Sequence, residues 1–352
     1  MGSSGPLPSP PLSLEPDNTA HRVPRTVGSG APSVQAHHRS THLLYCAAML
    51  SLTFLGTSAA RPTVERNVSG LALVREGETL LFDCGEGTQR QMMRYGVSFA
   101  LNDIFFTHFH GDHFLGVIGL VRTLGLQGRL EPLRLWGPKG ARQILKNAIL
   151  LGVEREPFPV EVQEVKVGEV VPRDGYGLHV FATEHGAMSI GYALVEHERF
   201  GRFDPEKARA AGIPKGPLWG KLQRGEAIEL ADGRRLTADG FVGPKRPGRK
   251  VVITGDTRPC RSVVDAAAGA DLLVHEATFG EEEKERAKET NHSTARDAAQ
   301  VALAAKVRKL VINHLSARYS ISAEELVKEA REVFPDVVAS KDGMTVDVPF
   351  HD

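Results

Sequence analysis

Cysteine is scarce in this 352-residue chain, and the three that occur, Cys46, Cys84 and Cys260, show no paired spacing. That argues against a disulfide framework, fits a reducing cytosol, and without a Cys-x-x-Cys pair leaves no structural zinc finger. No run of about 18 apolar residues exists, so no membrane span is expected. Charge of one sign is also missing, since 43 Lys and Arg balance 43 Asp and Glu. A uniformly basic nucleic-acid binder is therefore excluded. The positive charge is instead concentrated: residues 199–250 hold 13 Lys and Arg against 6 Asp and Glu. Neither a phosphate-cradling Gly-rich loop ending in Lys-Ser or Lys-Thr nor a His-Glu-x-x-His pair occurs, which removes nucleotide-driven and metalloprotease chemistry.

What is present is hydrophobic content of 41%, enough for a substantial core, and one dense cluster of metal-binding side chains. Residues 108–113 read His108-Phe109-His110-Gly111-Asp112-His113. The run before it, Ile104–Thr107, reads as a buried strand, and the run after it, Phe114–Val121, as the start of an apolar helix. In an extended chain His108 and His110 point to one side. Asp112 and His113 open the helix and aim elsewhere. One ion cannot easily use all four groups, whereas two ions about 3.5–4 Å apart, as in hydrolytic two-metal sites, can. Two ions need more donors, and three stand just after strand-like runs: His185 after Leu178–Ala182, Asp256 after Lys250–Gly255 and His314 after Leu310–Asn313. Asp256 has two oxygens and is suited to bridge both ions.

Residues 1–48, rich in Pro, Ser, Gly and His, read as a disordered extension, with the folded part starting at Met49. The apolar stretch Leu43–Leu55 imitates a signal peptide, but Leu50–Leu55 alternates as a first strand does. Leu71–Val74 and Thr79–Phe82 bracket Gly77 as a hairpin, with further strands at Leu133–Trp136, Val160–Val167 and Leu272–His275. Helices are expected at Gly87–Tyr95, Phe114–Leu124, Ala141–Leu151, Ala295–Ala305 and Ala323–Val333, with Thr294 and Asp297 forming a cap. Mixed strands and helices along residues 49–352 imply a layered α/β protein. Residues 199–250, rich in Gly and Pro, break the pattern, and no large core is expected from them alone.

These motifs resemble the metallo-β-lactamase superfamily and, more narrowly, the ribonuclease Z family of endonucleases that trim the 3′ trailer of precursor tRNA. The likeness runs from about Leu52 to Phe350. Its pieces include Leu55-Gly56-Thr57-Ser58, Arg66-Asn67-Val68, Phe82–Gln89, the His108–His113 cluster, Thr183–Gly186, Gly255–Cys260, His275-Glu276-Ala277-Thr278, Asn291–Thr294 and Asn313–Tyr319. The resemblance implies an αββα sandwich with a protruding tRNA-binding arm at 199–250. It implies two zinc ions per chain, one held by His108, His110 and His185, the other by Asp112, His113 and His314, with Asp256 bridging. It makes Asp112 the general base and places Glu276 and His292 beside the scissile phosphate, where His292 protonates the departing oxygen. Ser316, Arg318 and, on the arm, Lys215 and Lys221 become substrate contacts. A cytoplasmic homodimer is implied, in which the arm of one subunit serves the site of the other. One departure is Val64, where the family loop often carries a basic residue that takes part in handling a CCA end. Cyclic-nucleotide phosphodiesterases and other small-substrate hydrolases share the metal motif without needing an arm. A non-catalytic RNA-binding relative would be expected to lose ligands, and all seven are present.

Overall fold

In a computed structural model, residues 49–186 and 188–351 are described; the extension expected at 1–48 lies outside them. The first half supplies strands β1 (Leu50–Gly56), β2 (Gly70–Arg75), β3 (Glu78–Phe82), β4 (Asp103–Phe105), β5 (Leu133–Gly137) and β6 (Val160–Glu164). Then come β7 (Val170–Arg173), β8 (Tyr176–Ala182), β9 (Ile190–Glu196), β10 (Ile228–Glu229) and β11 (Arg235–Leu236). The chain closes with β12 (Lys250–Ile253), β13 (Leu272–Glu276), β14 (Lys309–Asn313), β15 (Val337–Ala339) and β16 (Thr345–Asp347). Two seven-stranded sheets result, ordered β16-β1-β2-β3-β4-β5-β6 and β15-β14-β13-β12-β9-β8-β7.

The layering follows from a period of two along each strand. Leu50, Leu52 and Phe54 of β1 meet Leu178, Val180, Val251 and Ile253 of the second sheet in the core between the sheets. The alternate residues face outward: Leu81, Ile104 and Leu135 pack under the helix Gly116–Leu126 through Leu120, Val121 and Leu124. On the other side Val252, Leu273 and Ile312 pack under the helix Ala295–Ala305, whose inner stripe is almost all alanine. Small residues let this helix lie close to its sheet, and its start carries the expected capping box of Thr294 and Asp297. The result is the αββα arrangement. Within each sheet one end pairs antiparallel and the other parallel.

The hairpin at Gly77 is a two-residue turn in which both Glu76 (φ 50°) and Gly77 (φ 91°) are left-handed, the geometry that matches strand twist. The helix expected from Phe114 begins at Gly116, after a separate single turn Gly111–Phe114. Strands β7, β9, β15 and β16 carry no sequence signal strong enough to have been read.

Residues 199–250 are more ordered than their composition suggests. They contain helices Pro205–Ala210 and Pro217–Gln223 and the β10–β11 hairpin. Ala208, Ile213, Leu222, Ile228 and Leu230 form a small core of their own, walled by Phe203, Trp219 and Phe241. Two isolated bridges, Arg199 with Arg246 and Phe203 with Val242, close the neck.

Below the neck, Arg249 is fully buried and gives Glu196 two bonds, Nε to Oε2 at 2.8 Å and Nη2 to Oε1 at 2.7 Å. Arg75 adds a third at 2.8 Å. Removing one partner of such a pair strands a buried charge. Glu196→Ala is therefore expected to lower unfolding free energy by about 3–5 kcal/mol, read as a shifted urea midpoint at unchanged slope. A loss below about 1 kcal/mol would place the pair among weak surface bridges.

Candidate metal centre

The site lies at the carboxyl ends of the parallel strands, where open α/β sheets leave a crevice. His108 and His110 follow β4, His185 follows β8, Asp256 follows β12, Glu276 ends β13 and His314 follows β14. The ligand turn is pinned from beneath by residues 83–85. Cys84 donates its N–H to the His113 carbonyl at 2.7 Å, and Gly116 donates to the Cys84 carbonyl at 2.9 Å. Only glycine fits at 116, since a Cβ there would stand 1.9 Å from the Gly85 oxygen.

All seven expected ligands converge: His108, His110, His185 and Asp256 form one donor group, Asp112, His113 and His314 a second, and a third joins Asp256 to His314 and His292. His108 Nε2 and His185 Nε2 stand 3.1 and 3.2 Å from His110 Nδ1. His314 Nε2 stands 3.3 Å from both His113 Nε2 and Asp112 Oδ2. Asp256 Oδ2 lies between the groups, 3.6 Å from His108, 3.9 Å from His185 and 3.4 Å from both His113 and His314.

The outer ring nitrogens show why those inner atoms cannot simply be bonding one another. Asp83 accepts from His113 Nδ1 at 2.8 Å and from the Thr107 hydroxyl at 2.9 Å, and Thr107 oxygen in turn accepts from His108 Nδ1 at 3.1 Å. The Thr278 hydroxyl donates to Glu276 at 2.8 Å and accepts from His314 Nδ1 at 3.0 Å, while His185 Nδ1 donates to the Asn291 carbonyl at 2.9 Å. This network assigns the ring protons outward and turns the Nε2 lone pairs toward common points.

The donor set fits zinc. Tetrahedral ligands at 2.0–2.1 Å are separated by about 3.3 Å, close to the spacings found. Asp256 Oδ1 is buried with no hydrogen-bond partner, an expensive state unless a cation takes it. The electrostatics agree. Burial pulls the His113 imidazole down, but Asp256 and Asp83 override it and hold it well above its usual range. Burial pushes Asp256 up, but His314 and His113 hold it well below the usual carboxylate range. Carboxylates so arranged call for positive charge between them, and a divalent cation supplies it.

Glu276 and His292 adjoin the cluster, with His292 Nδ1 on Glu276 Oε1 at 2.7 Å. Glu276 also accepts from the backbone N–H groups of Thr257, Thr278 and Ser293. Burial lowers the His292 pKa, but the Glu276 charge and hydrogen bond more than offset this and set it at about 9. His292 rings face both His185 and His314, at centroid distances of 4.7 and 5.5 Å.

A cleft of about 310 Å3 opens over these groups and is lined by His110, Asp112, Asp256, His292, His314 and Ser316, among others. Arg318 is more than half exposed and forms an ion pair with Glu283. Lys215 and Lys221 lie on the 199–250 segment and are exposed. Sequence reasoning gave no role to Asp83, Thr107 and Thr278. Asp83 has one visible mark, its left-handed backbone (φ 55°) at the end of β3, but no spacing rule points to it.

The fold and the paired donor groups define a metallo-β-lactamase-fold protein. The metallo-beta-lactamase fold protein YhfI of Bacillus subtilis superposes with a TM-score of 0.62, covering 85% of this chain and 99% of its own, at 18% identity. The chain is 58% identical over 301 residues to ribonuclease Z of Gemmatimonas aurantiaca, which spans 85% of this chain and 96% of that protein. It belongs to the ribonuclease Z family. The crystal structure of human tRNase Z, short form, matches with a TM-score of 0.62 and 28% identity over 85% of this chain and all of that one. Residues 50–200 also match a family model described as Anti-Pycsar protein Apyc1; that stretch stops short of Asp256, Glu276, His292 and His314.

Proposed function

We propose that this ribonuclease Z family member removes the 3′ trailer from precursor tRNA, leaving a 3′-hydroxyl on the tRNA, with two zinc ions per chain as its cofactors. The carrying observation is the convergence of seven donors, His108, His110, His185 and Asp256 in one group and Asp112, His113 and His314 in another that lies against Asp256, with the Glu276–His292 pair alongside. His108, His110 and His185 would hold one ion, Asp112, His113 and His314 the other, and Asp256 both. Zinc so held supplies a water of lowered pKa and neutralises charge on the phosphate oxygens.

Beside a water so activated, Asp112 would orient it and accept its proton. Its Oδ2 takes the Ala60 N–H at 2.8 Å and faces His314, which fixes the carboxyl plane. His292, protonated at neutral pH by the influence of Glu276, donates its proton to the departing oxygen. A proton donor of this kind contributes about 10²–10⁴ in rate. His292→Ala should therefore lower single-turnover cleavage of a trailer-bearing tRNA by that range, with metal content retained. Loss of metal in that variant would instead make His292 a ligand, and an unchanged rate would remove it from the reaction.

The segment 199–250 is assigned as the tRNA-binding arm. Several of its charges are paired locally, as in Arg209 with Glu206, Arg224 with Glu226 and Arg234 with Asp232. Lys215, Lys221 and Arg235 are exposed and make no ion pair among the described residues, which suits them to phosphate. Ser316 is assigned to the substrate in the cleft. A homodimer is assigned on the family reading, and Leu126, Leu130 and Leu151 are apolar side chains left exposed for contact with a second copy. No helix among the described residues is long and apolar enough to cross a membrane, and the cytoplasm, where precursor tRNA is found, is the proposed location.

A further inference from the structure

Two arginines line the cleft that holds the candidate centre. Arg61 stands on the turn that follows β1 and Arg286 on the short helix Lys284–Thr290. The Arg61 backbone is fixed at both ends: its N–H donates to the Ala59 carbonyl at 2.7 Å, and its own carbonyl accepts from the Ser58 hydroxyl at 2.8 Å. Ala60, just before it, sits in the left-handed region (φ 60°), a conformation alanine adopts at a cost. That strain delivers the Ala60 N–H to Asp112 and turns the next side chain to the cleft. The Arg61 guanidinium itself makes no ion pair among the described residues. It is a free cation on a rigid mount. The other basic residue of this turn, Arg66, is buried and spends its guanidinium on Thr57, Ser320 and Ser340, while Val64 is 95% exposed.

Arg286 lines the same cleft beside Phe279. Its guanidinium lies over the Phe279 ring, 5.5 Å from the centroid, and Phe279 meets the His292 ring edge-on at 6.1 Å. The carboxylate nearest it, Glu283, is 4.0 Å away and is engaged by Arg318 and by the Tyr319 hydroxyl. Arg286 is thus held in place by a ring and only loosely neutralised.

We propose that Arg61, beside Asp112, and Arg286, beside His292, each grip a phosphate of the RNA strand flanking the scissile one. The inference rests on the cleft being the place of RNA cleavage. It makes the preferred substrate a strand that runs through the cleft in both directions, so a mononucleotide ester can fill only the middle. A planar guanidinium suits the task because its fork makes two bonds to one phosphate.

The test uses the full-length zinc-loaded protein and its Arg61→Ala, Arg286→Ala and Arg61→Lys variants. Each is assayed on a trailer-bearing precursor tRNA and on bis(p-nitrophenyl) phosphate. Each alanine variant should lose about tenfold more kcat/KM on the RNA than on the small ester, chiefly through KM. The salt dependence of RNA binding should become shallower by about 0.7 in log–log slope per arginine removed, the value for one single-strand phosphate contact. Arg61→Lys should keep the slope, since the charge remains, while recovering only part of the affinity. Equal losses on both substrates would mean a structural role, and unchanged RNA KM and slope would mean no contact; either overturns the proposal. A parent protein that hydrolyses the small ester but not the RNA would overturn the functional reading, and the phosphate grip with it.

Discussion

Asp112→Ala should cut cleavage of trailer-bearing tRNA by at least about 10³-fold, the combined effect of losing a proton acceptor and disturbing a two-metal site. The size follows from how many jobs the one carboxylate does. Its Oδ2 faces His314 Nε2 at 3.3 Å and His113 Nε2 at 3.6 Å, the other two donors of its group. It also accepts the Ala60 N–H. Alanine removes one of four proposed donors, counting the shared Asp256, and leaves that strained turn without its anchor. Bound zinc, measured by atomic absorption after gel filtration, should fall from about two per chain toward one. Full activity with unchanged metal content would refute the assignment of Asp112.

Replacement of residues 203–246 by a short Gly/Ser linker should act on substrate choice and spare the chemistry. No proposed ligand lies in that segment. Its apolar core draws only on its own residues, so excision exposes little of the core between the sheets. The Arg249–Glu196 lock and the stacking of Arg199 and Arg249 on Phe350 stay behind to hold the ends. Metal content and hydrolysis of small phosphodiesters should therefore persist. Precursor tRNA binding should weaken strongly, and the log–log salt slope should become shallower by about 2 to 3, for the three unpaired cations Lys215, Lys221 and Arg235. Lys215→Ala and Lys221→Ala should each show a fraction of this. Deletion without effect on tRNA cleavage at moderate salt would show that the segment is not the tRNA-binding device.

Much of the site was legible because metal chemistry restricts residue types and strand geometry restricts spacing. His108-x-His110 on an extended turn, and single donors just past apolar runs, are patterns the chain can be searched for. A layered α/β protein was legible from alternation, as at Leu50, Leu52 and Phe54, and the αββα sandwich from the family resemblance. The unread parts have a common physical cause. Asp83, Thr107 and Thr278 act through contacts between strands distant in sequence, and nothing local marks an aspartate that will orient two histidines. The apolar residues of the 199–250 segment, Ile213, Leu218, Trp219, Leu222 and Ile228, are too irregularly spaced to announce a core. They meet only because two short helices and a hairpin fold over one another.

The central claim is that this two-metal cleft serves a tRNA 3′ trailer and not a small diester. It is tested most directly by giving the zinc-loaded protein a precursor tRNA and a cyclic nucleotide in parallel and comparing kcat/KM. The account predicts efficient cutting of the precursor, to a tRNA with a 3′-hydroxyl and a trailer with a 5′-phosphate, and turnover of the cyclic nucleotide near background. Preferential hydrolysis of the cyclic nucleotide, with the precursor left intact, would contradict it.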